Sequence, residues 1–296
     1  MEIDVILITY NREKAIVRTL EKLREQCGTV NRIIVVDNAS TDGTRSVVEG
    51  FSAGIPNLKI VSSGSNLGVS GGRNLGIRES EAEAMVFLDD DADFASPGFA
   101  ERIKEGFARD PKIGAIACKV VDGATGRVRP NEIPHRNKTR LDPSRESDVA
   151  YFIGAGHAIR RSALKDVIAY PEGFFYSQEE IFLSYRIIKA GYRIVYFPDL
   201  EVLHWQAQTG RVVPRAKWVL LLRNTLLVNY AFLPWPLFTL SIPVWTLKVL
   251  IRGGARAAIS GLAGFRRALG ARMVARQALS YPEAFGIWKV GGRILW

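Results

Sequence analysis

The sequence has two cysteines and three histidines among 296 residues, and this scarcity excludes several classes of protein. Cys27 and Cys118 are too few for a disulfide framework or a four-cysteine zinc site, which favours a reducing compartment. The N-terminus lacks the basic flank, long apolar run and small-residue cleavage site of an export signal, so we predict a cytosolic location. Hydrophobic residues make up 47% of the chain, which is enough to bury a full core.

Acidic residues are nearly absent from one end of the chain. Residues 202–296 contain 13 Lys or Arg and a single acid, Glu283, a net charge of +12, whereas residues 1–201 carry −2. The overall charge of +10 therefore belongs to the C-terminal third. No heptad seam or internal repeat stands out, so the sequence predicts no particular oligomeric state.

The same end contains a long uncharged stretch, the 23 residues from Thr225 to Leu247. Three prolines interrupt it, which favours two short hydrophobic helices in one leaflet over a straight membrane span. A buried pair of core helices is the alternative. Basic and aromatic residues around the stretch favour peripheral or monotopic contact with an anionic membrane surface. They are Lys217, Arg223, Lys248, Arg252, Arg256, Arg266, Arg267, Arg272, Arg276, Trp235, Trp245 and Tyr230.

The first half alternates β-branched runs with helical patterns, which is typical of an α/β fold with a mostly parallel sheet flanked by helices. The predicted elements are strands at 2–8, 32–36, 58–61 and 84–88, and helices at 12–26, from 42 onward and at 72–79. The segment 121–148 is rich in Pro, Arg and Asn, and we interpret it as a long loop.

Carboxylates follow the apolar strand at 84–88, at positions 89–91. Ligands of an open α/β sheet gather at the carboxyl ends of its strands, and hard oxygen ligands suit Mg²⁺ or Mn²⁺. An acidic turn that caps a following helix is the alternative. Polar segments also follow two earlier predicted strands, at 9–12 and 37–43. These three strand ends together predict a polar binding edge.

Four motifs resemble, in order and spacing, those of the family 2 glycosyltransferases over roughly residues 1–210. They are Ile8-Thr9-Tyr10-Asn11-Arg12, Val35-Val36-Asp37-Asn38-Ala39-Ser40-Thr41-Asp42-Gly43-Thr44, Asn66-Leu67-Gly68-Val69-Ser70-Gly71-Gly72-Arg73-Asn74 and Asp89-Asp90-Asp91. The resemblance implies the nucleotide-diphospho-sugar transferase fold called GT-A. We expect a catalytic domain at 1–215, with a nucleotide-sugar half to about 120 and an acceptor half beyond it, and a membrane-associating helical region at 216–296.

The resemblance also implies a set of residues that bind the nucleotide sugar. Thr9 and Asp37 would lie near the base, since a carboxylate can accept a base imide proton, and Arg73 and Asn74 near the ribose and phosphates. Gly71 with its neighbouring glycine would allow the backbone to approach the ligand closely, with an ordinary flexible turn as the alternative. The full set is Thr9, Tyr10, Asn11, Arg12, Asp37, Asn38, Asn66, Gly71, Arg73, Asn74, Asp89 and Asp90.

The implied metal ligands are Asp91, Asp89 and His204, for Mg²⁺ or Mn²⁺. Asp91 would be the principal ligand, while Asp89 or Asp90 would orient the ribose or a metal-bound water. His204 lies where the family often carries a metal-ligating histidine before a mobile loop, and a structural histidine is the alternative. Residues 205–211 resemble a loop that closes over the diphosphate.

That closing loop includes Trp205 and Arg211. Gly154 and Gly156 precede a predicted strand. They either leave room for the acceptor sugar or allow a tight backbone crossing, and the sequence does not separate these two interpretations.

Glu179 and Glu180 resemble the segment where the family keeps its catalytic base. The usual pattern there is Glu-Asp, a gap and another Asp, whereas this chain has two Glu and then Phe182. Glu180 is the predicted base because the family's base is the second acid of the pair, and Glu179 is the second candidate. The alternative is that both acids only stabilise a helix N-terminus.

Together these residues predict an inverting glycosyltransferase that releases a metal-bound nucleoside diphosphate. Arg223-Asn224 resembles a pair in rhamnosyl-transferring members, so dTDP-rhamnose or a UDP-sugar is the expected donor. The expected acceptor is a glycan or lipid-linked glycan at the cytoplasmic face of the membrane. A sugar nucleotidyltransferase is one alternative. A basic nucleic-acid-binding protein is another, but the apolar Thr225–Leu247 argues against it, so no nucleic-acid partner is expected.

Overall fold

The computed structural model describes residues 1–164, 169–206 and 214–294, and these form a sheet region followed by a helical region. The strands are β1 Ile3–Thr9, β2 Arg32–Asp37, β3 Leu58–Ser62, β4 Ala84–Asp89, β5 Ala92–Phe94, β6 Ile113–Asp122, β7 Ser147–Val149, β8 Gly156–Arg160 and β9 Arg193–His204. The described residues place them in one sheet in the order β3-β2-β1-β4-β8-β6-β9-β5, with β7 also paired to β9.

The sheet consists of a parallel block and an antiparallel extension. Strands β3, β2, β1 and β4 are parallel, β8 runs antiparallel between β4 and β6, and β6 is parallel to β9. β1, β2 and β4 are buried along almost their whole length, as expected for strands covered on both faces. Their register sets Thr9 beside Asp37 and Ile8 beside Asp89, so these carboxyl ends meet at one edge.

The helices of the sheet region begin within four residues of the predicted positions, except the helix Phe99–Arg109, which was not predicted. They are α1 Ala15–Arg24, α2 Thr44–Gly50, α3 Gly68–Glu79, α4 Phe99–Arg109 and α5 Glu179–Lys189. The predicted buried face of α1, formed by Ile16, Leu20 and Leu23, is confirmed. α3 begins four residues earlier than predicted and includes Gly71 and Gly72, so this pair is not a flexible turn.

The helical region consists of α6 Pro214–Phe232, α7 Trp235–Gly253, α8 Ala255–Gly270 and α9 Tyr281–Lys289. The uncharged stretch occupies the end of α6 and most of α7, so the prediction of a pair of helices is confirmed, but each has 19 residues and is longer than predicted. Residues 225–229 and 231–233 are buried, as the core-helix alternative states, but α7 exposes Leu240, Leu247 and Ile251. No helix within the described ranges is long and apolar enough to cross a membrane.

The two regions share one apolar cluster. Phe182 of α5 packs edge-to-face against Phe232 of α6, with ring centroids 5.1 Å apart, and against Phe174 at 5.7 Å. Leu226 and Leu227 of α6 are fully buried in the same cluster. The helical region is therefore continuous with the core beneath α5. The predicted domain limit at 215/216 falls within the first turn of α6 and stays a prediction.

The segment 121–148 is mostly irregular, as predicted, but part of it is not at the surface. A short 3₁₀ turn at Pro130–Glu132 carries the Glu132 side chain into the interior, where it is 2% exposed. A carboxylate is rarely buried so completely without a partner that offsets its desolvation. The position of Glu132 therefore points to a role at the adjacent acidic edge.

Candidate active site

The acidic triplet lies at the end of β4. Asp89 is the last residue of the strand, and Asp90 and Asp91 form the turn into β5. The helix-cap alternative is wrong, because the next helix begins only at Phe99. Pairing of β5 with β9 brings His204 to the same place, so that ligand atoms of Asp89, Asp91 and His204 all lie within 4.8 Å of one another.

The donor atoms of this cluster fit a divalent cation. Two carboxylates and one imidazole are a hard, mainly oxygen set of the kind that Mn²⁺ or Mg²⁺ accepts. His204 Nε2 lies 3.3 Å from Asp91 Oδ1, while His204 Nδ1 lies 2.9 Å from Glu132 Oε1. Metal-binding histidines generally hold their second nitrogen in this way, on a carboxylate that fixes the ring. Glu132 thus supports the predicted metal ligand from behind.

The electrostatics of the edge favour added positive charge. Burial raises the pKa of Asp90 to about 7, opposed by Arg12, whose Nε lies 3.6 Å away, and reinforced by the charge of Asp91. Burial lowers the pKa of His204, but its hydrogen bonds to Asp91 and Glu132 outweigh burial and raise that pKa to about 10. A divalent cation bound at this cluster would therefore compete with the proton of His204.

A cavity of about 500 Å³ opens over the carboxyl ends of β1, β2 and β4. Its volume is in the range of pockets that hold small-molecule ligands and cofactors. Most of the predicted nucleotide-sugar and metal residues line it. They are Thr9, Tyr10, Arg12, Asn38, Asn66, Arg73, Asp89, Asp90, Asp91 and His204. The four motifs therefore converge on one cavity.

Four predicted nucleotide-binding residues do not line this cavity: Asn11, Asp37, Gly71 and Asn74. Asn11 and Asp37 accept hydrogen bonds from backbone N–H groups of the turn at 40–41. Asn74 is fully buried, and its amide exchanges two hydrogen bonds, of 2.8 and 2.9 Å, with the Tyr170 backbone. A Cβ on Gly71 would lie 2.6 Å from Leu67, so close packing of α3 accounts for this glycine. Direct nucleotide contact by these four residues stays a prediction.

Arg73 connects the acidic triplet to the predicted base. Its buried guanidinium lies 3.4 Å from Asp89 Oδ1 and 3.2 Å from Glu180 Oε1, and it donates to the Gly154 carbonyl at 3.2 Å. A side chain at position 154 would collide with the Glu180 carboxylate and with Arg73. Gly156 differs, because a Cβ there would lie 2.6 Å from Val202, a tight backbone crossing. A tight backbone crossing therefore accounts for Gly156, the Glu180 and Arg73 side chains account for Gly154, and acceptor contact by either glycine stays a prediction.

Glu179 and Glu180 are the first two residues of α5. The Glu179 side chain is 3% exposed and that of Glu180 is 21% exposed. Burial, with the adjacent Glu180 charge, raises the pKa of Glu179 well above its usual range. Glu180 is therefore the more accessible acid. The position where the family usually has a further acid, Phe182, is part of the apolar contact with α6.

A strained loop positions these two acids. Phe175, Ser177 and Gln178 all have positive φ, an uncommon conformation for residues other than glycine. The buried Asn224 amide nitrogen of α6 lies 2.8–2.9 Å from three carbonyl oxygens of this loop, those of Phe174, Tyr176 and Ser177. The helical region thus holds the loop that precedes the base, a role that the sequence did not predict for Asn224.

Other positioning residues were also missed. Glu132 lies in an irregular segment without periodicity, and the one signal is that it is the only acid between Asp122 and Asp142. A second cavity, of about 230 Å³, adjoins Glu179 and Glu180 and is bordered by Lys217 and Arg293. The only sequence signal for it is the basic excess of the C-terminal third.

Of the two predicted closing-loop residues, Trp205 lies within the described residues and Arg211 does not. Trp205 does not line the large cavity: its indole N–H donates to Asp93 at 2.8 Å, and the Arg18 guanidinium lies 3.6 Å from its ring centroid. The next residue, Gln206, does line it. Arg211 lies outside the described residues, so loop closure stays a prediction.

Comparisons with known proteins agree with this site. Residues 4–168 match the family described as "Glycosyl transferase family 2". An N-acetylglucosaminyl-diphospho-decaprenol L-rhamnosyltransferase of Mycobacterium tuberculosis is 28% identical over 70% of this chain and 77% of its own length. An O-antigen chain rhamnosyltransferase of Salmonella typhimurium is 24% identical over 71% of this chain and 68% of its own. A mannosyltransferase of Pyrobaculum calidifontis, solved with GDP-Man and Mn²⁺, superposes with a TM-score of 0.60 at 22% identity, covering 97% of this chain and 79% of that one.

Proposed function

The chain belongs to glycosyltransferase family 2 and has the GT-A fold, and we propose that it transfers a sugar with inversion from a nucleoside diphosphate to a glycan or lipid-linked glycan. The observation that carries the proposal is the arrangement around Arg73. On one side lies the cation-binding cluster of Asp89, Asp91 and His204, and on the other lies Glu180. In this proposal the leaving group lies in the large cavity, and the base faces it from across Arg73.

The donor half of the reaction uses the large cavity. Thr9, Asn38 and Asn66 offer polar groups at the carboxyl ends of the strands for the nucleoside, while Asp89, Asp91 and His204 would hold the cation beside the diphosphate. A bound Mn²⁺ or Mg²⁺ supplies Lewis-acid neutralisation of the departing diphosphate. These residues also explain why donor binding should depend on a metal.

The acceptor half uses Glu180. Its carboxylate takes the proton from the acceptor hydroxyl while that oxygen bonds to the anomeric carbon and the bond from this carbon to the diphosphate breaks. The sugar is transferred, the proton resides on Glu180, and the nucleoside diphosphate leaves with both electrons of the broken bond. One carboxylate base is sufficient for a single displacement, which inverts the anomeric configuration. Arg73 holds the Glu180 carboxylate in place through their 3.2 Å contact.

The donor is proposed to be dTDP-rhamnose or a UDP-sugar. The support is that two relatives are rhamnosyltransferases by name and that Arg223-Asn224 lies directly under the loop before the base. The acceptor is proposed to be lipid-linked because one of those relatives is named for a diphospho-decaprenol substrate.

The helical region is proposed to contact the cytoplasmic face of an anionic membrane peripherally. Leu240, Leu247 and Ile251 lie seven and four residues apart, which places them on one exposed face of α7. α8 and α9 add exposed apolar side chains, including Ile259 and Phe285. Because residues 202–296 contain one acid and 13 basic residues, these apolar side chains lie among uncompensated positive charge. Apolar and basic side chains together suit an anionic lipid surface.

Product analysis tests the proposed reaction. Purified protein is incubated with Mn²⁺, an acceptor extract and each candidate donor, and the released nucleotide is identified. We expect a nucleoside diphosphate and a product of inverted anomeric configuration. Release of pyrophosphate from a nucleoside triphosphate and a sugar phosphate would instead identify the nucleotidyltransferase alternative.

Flotation tests the membrane contact. The full chain is expected to float with vesicles containing phosphatidylglycerol and to remain at the bottom with pure phosphatidylcholine. A Leu247→Gln and Ile251→Gln double variant should float less because it removes apolar area from the lipid contact. Equal flotation of both proteins would contradict the assignment of this face of α7.

A further inference from the structure

The second cavity lies beyond Glu180 and continues from the donor cavity. The two cavities share Asn131, Tyr176 and Lys217 in their linings, and Glu179 and Glu180 line the second one. A molecule in the second cavity therefore meets the base from the side away from the metal cluster. This is the place of the acceptor if the proposed function is correct.

The second cavity is bordered by cations that lack acidic partners. Arg293 and Lys217 line it. Lys138 lies outside the lining, behind Tyr151, where its Nζ donates to the Ile133 carbonyl at 2.6 Å and to the Tyr151 hydroxyl at 3.3 Å. Within the described ranges of the chain, none of these three forms an ion pair, and Glu179 and Glu180 are the only acids in the lining. A neutral sugar needs no such charge.

Arg293 is held in position to present its guanidinium. The Tyr185 hydroxyl accepts from the Arg293 N–H and donates to its carbonyl oxygen, both at 2.9 Å. The guanidinium lies 5.2 Å from the Tyr151 ring centroid, and its nearest nitrogen lies 3.5 Å from the Tyr151 hydroxyl oxygen. The planar guanidinium has five N–H donors, so most remain for a ligand. Its fixed backbone reduces the ordering that ligand binding requires.

The protein tolerates repulsion between Lys138 and Arg293. Burial, with the charge of Arg293 added, lowers the pKa of Lys138 to about 8. Repulsion of this kind destabilises the folded chain unless an anion relieves it, and Arg with Lys is the usual pair of residue types for binding phosphate. The charge of the cavity is therefore matched to an anionic group.

We propose that the second cavity binds the phosphate or diphosphate group that joins the acceptor sugar to its carrier, with Arg293 and Lys217 as its recognition residues. Lys217 borders both cavities, so its charge serves the donor and acceptor sides together. This inference rests on the proposed transferase function, which it deepens by naming the chemical class of the acceptor. A free sugar phosphate and a lipid-linked sugar diphosphate share that chemistry.

Binding rather than turnover tests the proposal. The protein is saturated with UDP, dTDP and Mn²⁺ to fill the donor cavity, and three probes are titrated calorimetrically. They are N-acetylglucosamine joined through diphosphate to a ten-carbon isoprenyl chain, N-acetylglucosamine 1-phosphate, and the neutral octyl glycoside of N-acetylglucosamine. Wild type should bind the diphosphate probe roughly tenfold or more tightly than the octyl glycoside. Tight binding of the 1-phosphate as well would identify a soluble source of the anion, whereas weak binding would identify the lipid-linked source.

Variants identify the residues that cause the preference for the diphosphate probe. Arg293→Gln should reduce the preference for the diphosphate probe to within about twofold, and Lys217→Gln should reduce it partly. Arg266→Gln, an exposed arginine of α8, is the matched control and should keep the wild-type preference. Thermal unfolding confirms that each variant is folded. An unchanged preference in both Arg293→Gln and Lys217→Gln, or no preference in wild type, would overturn the proposal.

The same titrations separate this proposal from the proposed function. If wild type does not bind UDP or dTDP with Mn²⁺ in the calorimeter, the transferase function is contradicted, while the Arg293-dependent preference for the diphosphate probe is still measurable. If the nucleotides bind but that preference is missing, only the acceptor proposal fails.

Discussion

The sheet region and the helical region differ in the sign of the charge that they bring to the same site. The sheet region contributes buried acids, Asp89, Asp90, Asp91 and Glu132, around a place suited to a cation. The helical region contributes Lys217 and Arg293 around a place suited to an anion. Glu180 lies between them, against Arg73. In the proposed reaction the chain needs both regions: the sheet region would bind the leaving diphosphate through a metal, and the helical region would position the base and face the acceptor.

Glu180→Gln should have the largest effect, because it removes the group that accepts the proton. We expect kcat for transfer to fall by about 10²–10⁴-fold while the affinity for the nucleoside diphosphate changes little. Glu179→Gln is the control, and it should retain most of the activity because the raised pKa of Glu179 already favours its neutral form. A larger loss in Glu179→Gln than in Glu180→Gln would reverse the assignment of the base.

Asn224→Ala tests whether the helical region takes part in the chemistry. Its amide supports three carbonyl oxygens of the strained loop, so its removal should lower the free energy of unfolding by about 1–3 kcal/mol. Misplacement of Glu180 should reduce kcat/KM by up to about 10²-fold. Urea unfolding and transfer assays measure the two effects. Normal kcat in a destabilised variant would mean that α6 is only a structural support.

Glu132→Gln tests the support behind the metal ligand. Loss of the carboxylate that orients His204 should weaken Mn²⁺ binding by about 10–100-fold, as measured by electron paramagnetic resonance with a nucleoside diphosphate present. Glu146→Gln is the matched control, because Glu146 is an exposed acid that pairs with Arg109 away from the cluster. Equal Mn²⁺ affinity in Glu132→Gln and wild type would remove Glu132 from the site.

The smallest predicted effect is the pH dependence of stability that comes from Lys138, a basic residue near Arg293. Its pKa is lowered to about 8 in the folded chain, whereas the unfolded value is about 10.4. Between these values the unfolded chain binds more protons, so the contribution of Lys138 to stability increases as pH rises from 8 to 10. The groups that face it are Arg293 and Tyr151, and burial raises the pKa of Tyr151 above that window.

The corresponding measurement compares wild type with Lys138→Gln. Their difference in free energy of unfolding, from urea titrations at pH 7.5 and pH 9.5, should shift in favour of wild type at the higher pH. A difference that does not change with pH would show that Lys138 is not held in a repulsive environment.

The sequence predicted the acidic side of the site better than the basic side. Asp89 and His204 each end a strand and Asp91 lies two residues beyond the end of β4, and strand ends of an α/β sheet meet at a predictable edge. Glu132 and Arg293 lie in irregular segments, and only the tertiary fold brings them to Glu180 and His204. Glu132 contacts His204, which is 72 residues away in the sequence, and Arg293 contacts Tyr151, which is 142 residues away. No local pattern specifies such contacts.

Local pattern was also misleading in two places. For Gly71 and Gly72 the flexible-turn alternative is wrong, because a pair of glycines also fits a helix that packs closely, as α3 does; close approach of this backbone to a ligand stays a prediction. The uncharged stretch from Thr225 to Leu247 has one composition but two environments, because α6 is covered by α5 and α8 while α7 has an exposed face. Hydropathy reports composition and not which face is covered.

The most direct test of the division between the two regions is a thermal-shift screen of UDP, dTDP and GDP with and without Mn²⁺. It compares wild type, Asp91→Ala and Arg293→Gln, since a specific ligand stabilises the folded state. We predict Mn²⁺-dependent stabilisation of wild type and of Arg293→Gln by the same nucleotide, and none of Asp91→Ala. Equal stabilisation of Asp91→Ala, or its loss in Arg293→Gln, would contradict the assignment of the metal-bound donor to the acidic edge of the sheet.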